Sequence, residues 1–102
     1  MTKLEMEFTQ ALMACLEKAQ ASTGLTETRL KEQAQKEGGA KALQRLWDRQ
    51  QLTRQFGILA QQNKLDLSPE YLATRGRYAP LFTDDQVNFC LEALLEAGAF
   101  SI

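Results

Sequence analysis

Apolar residues recur along this chain at threes and fours, the spacing of one face of an α-helix, and nowhere alternate strictly as a half-buried strand requires. Leu4, Phe8, Ala11, Leu12, Cys15, Leu16 and Ala19 trace the first such face, and the helix they define stops near Thr23 and Gly24. A second helix opens with Thr26 as N-cap, and Leu25 ahead of the cap is placed to pack on Leu30 as a hydrophobic staple. It runs through Ala34 to Gly38 and Gly39, where a glycine suits the left-handed end of a helix. Ala40, Leu43, Leu46 and Trp47 mark a third helix, which either runs as far as Leu52 or breaks between Asp48 and Gln51.

A fourth helix follows with Thr53 as its cap and Phe56, Leu59 and Ala60 facing inward, although Gly57 weakens it. Leu67, Ser68, Pro69, Glu70, Tyr71 and Leu72 then supply a staple pair, a serine cap, a proline at the first helical position and a first-turn acid. This fifth helix is short, because Gly76 and Pro80 close it. The last helix opens with a capping box, Thr83 and Gln86, and a staple between Phe82 and Val87. Its expected core face is Val87, Cys90, Leu91, Leu94 and Leu95, and Gly98 ends it. The pattern predicts an all-α fold: a compact orthogonal bundle of five to six short helices in one domain over residues 1–102, with only the first two or three residues and the last few free.

Composition narrows the function classes. The chain of 102 residues is 44% hydrophobic and 25% charged, ordinary values for a globular protein. Lys3, Glu5 and Glu7 interrupt the N-terminal apolar residues as a signal-peptide core would not tolerate, and no apolar run is long enough to cross a bilayer. The expectation is a cytoplasmic protein without a membrane partner. Cys15 and Cys90 each sit in a helical apolar stripe, where an unpaired buried thiol is expected, with a disulfide or a reactive thiol as the alternatives. There is no histidine, so the commonest general base and metal ligand is missing, and no nucleophile pair or phosphate loop is visible. A binding protein without cofactor or metal is expected rather than an enzyme.

Charge is segregated behind a formal net of −1. Residues 41–77 hold seven Lys/Arg against three Asp/Glu, and residues 78–102 hold four acids and no base. Lys41, Arg45 and Arg49 recur every fourth residue and form one ridge on the third helix, which Arg54, Arg75 and Arg77 extend if the fifth helix folds back beside it. Such a strip suits phosphates, with Trp47 or Tyr78 stacking on bases if exposed; the plain alternative is a solvated face paired with Asp48 and acids of the last helix. The second helix, the glycine turn and the third helix have the outline of a helix-turn-helix, but Gln44 stands where that motif wants a branched apolar residue. Asp84 and Asp85 read as first-turn acids, and Asp66 and Glu70 as a turn acid and a first-turn acid. Tyr71, Tyr78, Phe82 and Phe100 gather near the fifth helix and the end of the last; they either seal the core or, with Arg75 and Arg77, anchor a partner on the turn from Thr74 to Leu81.

Thr28 and Leu30; Gly38, Gly39, Ala42 and Leu46; Phe56; Leu65, Asp66, Leu67, Ser68 and Glu70; and Pro80, Leu81, Phe82, Thr83 and Asp85 carry a resemblance over about Glu7 to Phe100. On these residues the chain resembles a family of small bacterial helical domains of uncharacterised function. The resemblance implies a fold and an accessory role, in some cases beside restriction or mobile-element genes. The family's serine, polar residue and glycine before the phenylalanine are replaced here by the stretch from Asp48 to Gln55. The expected function is binding to an unidentified protein or to itself, through Lys41, Arg45, Arg49, Arg54, Arg75, Arg77 and Tyr78. Weak nucleic-acid binding through the same ridge is the alternative.

Overall fold

The longest apolar stripe makes the longest helix. In the computed structural model, which describes residues 2–98, α1 (Lys3–Thr23) is 21 residues long and buries Phe8, Leu12, Leu16 and Ala19. It begins in a capping box: the Thr2 hydroxyl accepts from the Glu5 N–H, and the Glu5 carboxylate accepts from the Thr2 N–H. Thr2, expected to be free, is therefore fixed. Gly24, with φ at 76°, ends the helix in the left-handed conformation.

α2 (Thr28–Glu37) and α3 (Gly39–Asp48) meet with Gly38 alone between them. Gly38 has φ 93° and ψ 150°, a combination that only glycine holds without strain, and not the left-handed helical cap that the sequence suggests. Gly39 is needed for a different reason. Its backbone lies against α1 so closely that a Cβ there would stand 2.8 Å from Leu12 Cδ2. The Gly39 N–H donates to Thr9 Oγ1 at 2.9 Å, and the Thr9 hydroxyl donates to the Glu5 carbonyl. A single connecting residue is too little for a helix-turn-helix, whose turn takes three or four, and Gln44 donates to the Leu81 carbonyl instead of packing a recognition helix.

α3 breaks where the second of the two expectations puts it. Gln50 takes φ 57°, its N–H reaches the Trp47 carbonyl, and the Gln51 N–H reaches back to Leu46, a Schellman end built on a glutamine. α4 (Phe56–Gln61), a 3-10 turn at Leu65–Leu67, α5 (Pro69–Thr74), a second 3-10 turn at Ala79–Leu81 and α6 (Asp84–Glu96) complete six α-helices with no strand among the described residues. The fold is all-α and compact, with a radius of gyration of 12.5 Å. No helix of the described residues is long and apolar enough to cross a membrane.

Two expected caps are displaced. Glu27, not Thr26, precedes α2, and Gln55, not Thr53, precedes α4; neither helix has a side-chain cap, because the Glu27 carboxylate accepts from the Gln55 N–H and the Gln55 amide donates to the Leu25 carbonyl. The caps at Ser68 and Thr83 form as expected: Ser68 Oγ accepts from the Tyr71 N–H, and Thr83 and Gln86 close a reciprocal box. On α6 the buried line is Gln86, Cys90 and Leu94, one residue every fourth position. Leu95 lies off that line and is 61% exposed, contrary to the expected core face.

The larger core cluster centres on aromatic rings. Phe8 meets Tyr78 and Phe82 edge-on at 5.2 and 5.3 Å, and Trp47 tilts against Phe82 at 5.2 Å. Tyr71 joins the smaller cluster with Ala19, Phe56, Leu59, Leu65 and Leu94. Phe100, the fourth aromatic of the expected group, lies outside the described residues. Both thiols are free, Cys90 buried and Cys15 half-buried, and burial pushes both above the ordinary thiol range, so neither is poised as a nucleophile.

Candidate binding groove

α2 packs on α3 through Leu30 and Ala34, which buries those residues and leaves the seam between the two helices open on its outer side. The resulting groove has a mixed lining, in which Leu30, Ala42, Leu46 and Leu52 supply apolar surface and Glu27, Gln33, Gln51 and Thr53 polar groups. Around it stand four arginines: Arg29 from α2, Arg45 and Arg49 from α3, and Arg54 from the loop that follows. The volume of the groove is about 250 Å³. Arg45 is paired with Glu37 at 2.9 Å, whereas Arg29, Arg49 and Arg54 lie within 4 Å of no carboxylate among the described residues.

The loop wall of this groove is held from below by two buried carboxylates. Glu70 of α5 is completely buried; its Oε2 accepts from the Thr53 N–H at 2.9 Å and from the Trp47 indole N–H at 3.3 Å, and its Oε1 meets the Thr53 hydroxyl at 3.0 Å. Glu27, at the start of α2, accepts from the Gln55 N–H at 2.9 Å. The Gln55 amide donates in turn to the Leu25 carbonyl at 2.7 Å. Residues 53–55 are thus tied to α5 on one side and to the approach of α2 on the other. Burial raises the carboxyl groups of both Glu70 and Glu27 above the ordinary range, and the hydrogen bonds from the loop oppose that rise. Glu70 is the first-turn acid of α5 that its local sequence suggests, and, completely buried, it also anchors the loop.

The structure divides the expected basic strip. Arg45, Arg49 and Arg54 come together in the groove, joined by Arg29. Arg29 escapes a reading of α3 alone, because only the packing of α2 on α3 brings it to the seam. Lys41 is exposed but does not line the groove; it stands near Glu5, whose carboxyl is held down first by its hydrogen bonds to Thr2 and further by the Lys41 charge. Arg75, Arg77 and Tyr78 line a separate depression with Ala11, Leu72 and Gly76. They do not extend the ridge, because α5 packs against α6 and α1 rather than lying beside α3. Arg77 pairs with Glu7 of α1 and lies 5.8 Å from the centre of the Tyr78 ring.

A second groove runs along the other flank of the α3 end, between it and α6. Asp48, Asp85 and Glu92 line it with Gln50, Asn88 and Phe89, and it contains no Lys or Arg. Gln86 spans its base, donating from Nε2 to Asp48 Oδ1 at 2.9 Å. The three carboxylates do not converge as metal ligands would. α3 thus carries a basic groove on one side of its C-terminal end and an acidic one on the other. No protein-family model matches the chain, and none of the curated proteins or solved structures compared with it matches either.

Proposed function

We propose that this domain works by binding protein, holding an acidic segment of a partner in the groove between α2 and α3. The observation that carries this reading is that four arginines share one groove with Leu30, Leu46 and Leu52. The leucines take the apolar side chains of an amphipathic segment while the arginines pair its carboxylates, the arrangement that interface anchors use. Nucleic acid fits less well. Trp47 is 2% exposed and Tyr78 is turned edge-on to Phe8, so neither aromatic group is presented for base stacking, and Arg75 and Arg77 lie outside the groove. The protein is read as a non-catalytic accessory domain of bacterial, cytoplasmic origin, in keeping with the family it resembles, acting on another protein or on itself.

The test is fluorescence anisotropy with a labelled amphipathic peptide of glutamate and leucine, and in parallel with a labelled short DNA duplex. The peptide is expected to bind at low salt, and Arg45→Glu combined with Arg49→Glu to weaken it by about tenfold or more. Binding of the duplex but not the peptide would transfer the groove to nucleic acid. If neither probe binds, the groove is a solvated face and the reading falls.

A further inference from the structure

The two grooves flanking the α3 end are opposite in sign and share that helix. Arg45 and Arg49 project from it into the basic groove, and Asp48, between them in sequence, projects into the acidic one. Across from them, α6 supplies Asp85 and Glu92, within a stretch that from residue 78 onward has no Lys or Arg. A positive patch and a negative patch on the two flanks of the α3 end make a surface complementary to itself. A second copy turned by half a revolution, about an axis passing between the patches, brings each basic groove opposite an acidic one, and does so twice.

We infer that the acidic partner of the arginine groove is a second copy of this chain, and that the two copies form a closed, two-fold dimer. Arg45, Arg49 and Arg54 of each copy face Asp48, Asp85 and Glu92 of the other. This rests on the reading of the groove as a site for acidic protein and adds to it the identity of the partner. Each side also carries apolar surface near its charges: Leu52, 36% exposed, lines the basic groove, and Phe89, half-buried, lines the acidic one. The charge pairs set orientation and steer the encounter, so association weakens as salt rises.

The experiment is light scattering coupled to gel filtration over a range of concentrations, at low and at high salt. The wild type is expected to move from its chain mass of 11.5 kDa to twice that value at low salt and to fall back at high salt. Arg45→Glu with Arg49→Glu should stay monomeric, and so should Asp85→Lys with Glu92→Lys. Mixed together, these two variants should form a dimer again, because each reversed groove then faces a partner of opposite sign. Circular dichroism of each variant alone establishes that both are folded, and recovery of the dimer on mixing cannot come from unfolded chains. A wild type that remains monomeric at the highest concentration overturns the inference, as does a mass that climbs past the dimer or a mixture that fails to associate. The glutamate and leucine peptide separates the two levels: a monomeric wild type that still binds it in an Arg45-dependent and Arg49-dependent way keeps the groove and loses only the self-partner.

Discussion

Thr83 and Gln86 close the start of α6 on themselves across three residues, whereas the stretch that leads into α4 is held by carboxylates 17 and 28 residues away. At α6 the cap satisfies the orphan N–H groups of the helix, and it would do so in any context where the chain is helical. At α4 no local side chain caps the helix. The Thr53 hydroxyl, placed where a cap would be expected, meets Glu70 instead, and the Thr53 and Gln55 N–H groups are claimed by Glu70 and Glu27. The first arrangement fixes one helix turn. The second ties three elements together and sets the wall of the arginine groove.

Glu70→Ala breaks the second arrangement and should have the largest effect. It leaves the Thr53 N–H and the Trp47 indole N–H without an acceptor in a completely buried place. Each orphaned buried donor costs roughly 1–3 kcal/mol, so a loss of about 3 kcal/mol is expected, a large part of the stability of a domain this size. Urea denaturation measures it. The same variant should also weaken the acidic peptide, since the freed loop carries Leu52 and Arg54. A loss no greater than that from deleting a helix cap would show that the remote clamp contributes no more than a local one.

Thr83→Ala is the matched local break. It removes one side-chain cap and is expected to cost about 1 kcal/mol. Amide exchange should quicken in the first turn of α6 and leave residues 53–55 as protected as before. Peptide binding should be unchanged. If exchange also quickens across residues 53–55, the start of α6 is not the self-contained unit that its geometry implies.

The same contrast decides what the sequence makes legible. The caps at Ser68 and Thr83 are written within four residues, so the pattern shows them, and the apolar stripes locate all six helices. Thr2 was equally available: Thr2, Lys3, Leu4 and Glu5 form the same threonine-to-acid box as a cap, ahead of an apolar run. Glu70 was not available. Behind Ser68 and Pro69 it is indistinguishable from an acid that favours the helix dipole, and only folding brings Trp47 and Thr53 to it. Leu95 was misplaced because a run of apolar residues on α6 does not say which of two adjacent leucines faces inward. The groove divides in the same way. Arg45 and Arg49 share a face by periodicity, while Arg29 joins them, and Arg75 and Arg77 leave them, through helix packing with no trace in local spacing.

Glu70→Gln isolates the charge of the clamp from its hydrogen bonds, and its effect on stability should be the smallest. Oε2 of Glu70 receives the Thr53 and Trp47 N–H groups and Oε1 meets the Thr53 hydroxyl, which can turn from donor to acceptor, while the residue's own N–H also bonds the carboxylate. A glutamine therefore fits with its oxygen in the place of Oε2 and its NH₂ donating to Thr53, and at pH 4.5 a change within about 0.5 kcal/mol is expected. The signature is the pH profile. Because burial raises the Glu70 carboxyl above its ordinary value of 4.5, the folded protein holds a proton that the unfolded chain has released, and stability falls as pH rises from 4.5 through the folded value. Glu27 contributes in the same direction, and Glu5 and Glu7, whose carboxyls are lowered by Thr2 and Arg77, contribute in the opposite direction at lower pH. All three are common to both proteins and cancel in the difference. Urea midpoints taken from pH 4.5 to neutrality should therefore fall less steeply for Glu70→Gln than for the wild type, the two curves separating as pH rises. Parallel curves would mean that the carboxyl is ionised in the folded protein throughout, with the loop hydrogen bonds fully offsetting its burial.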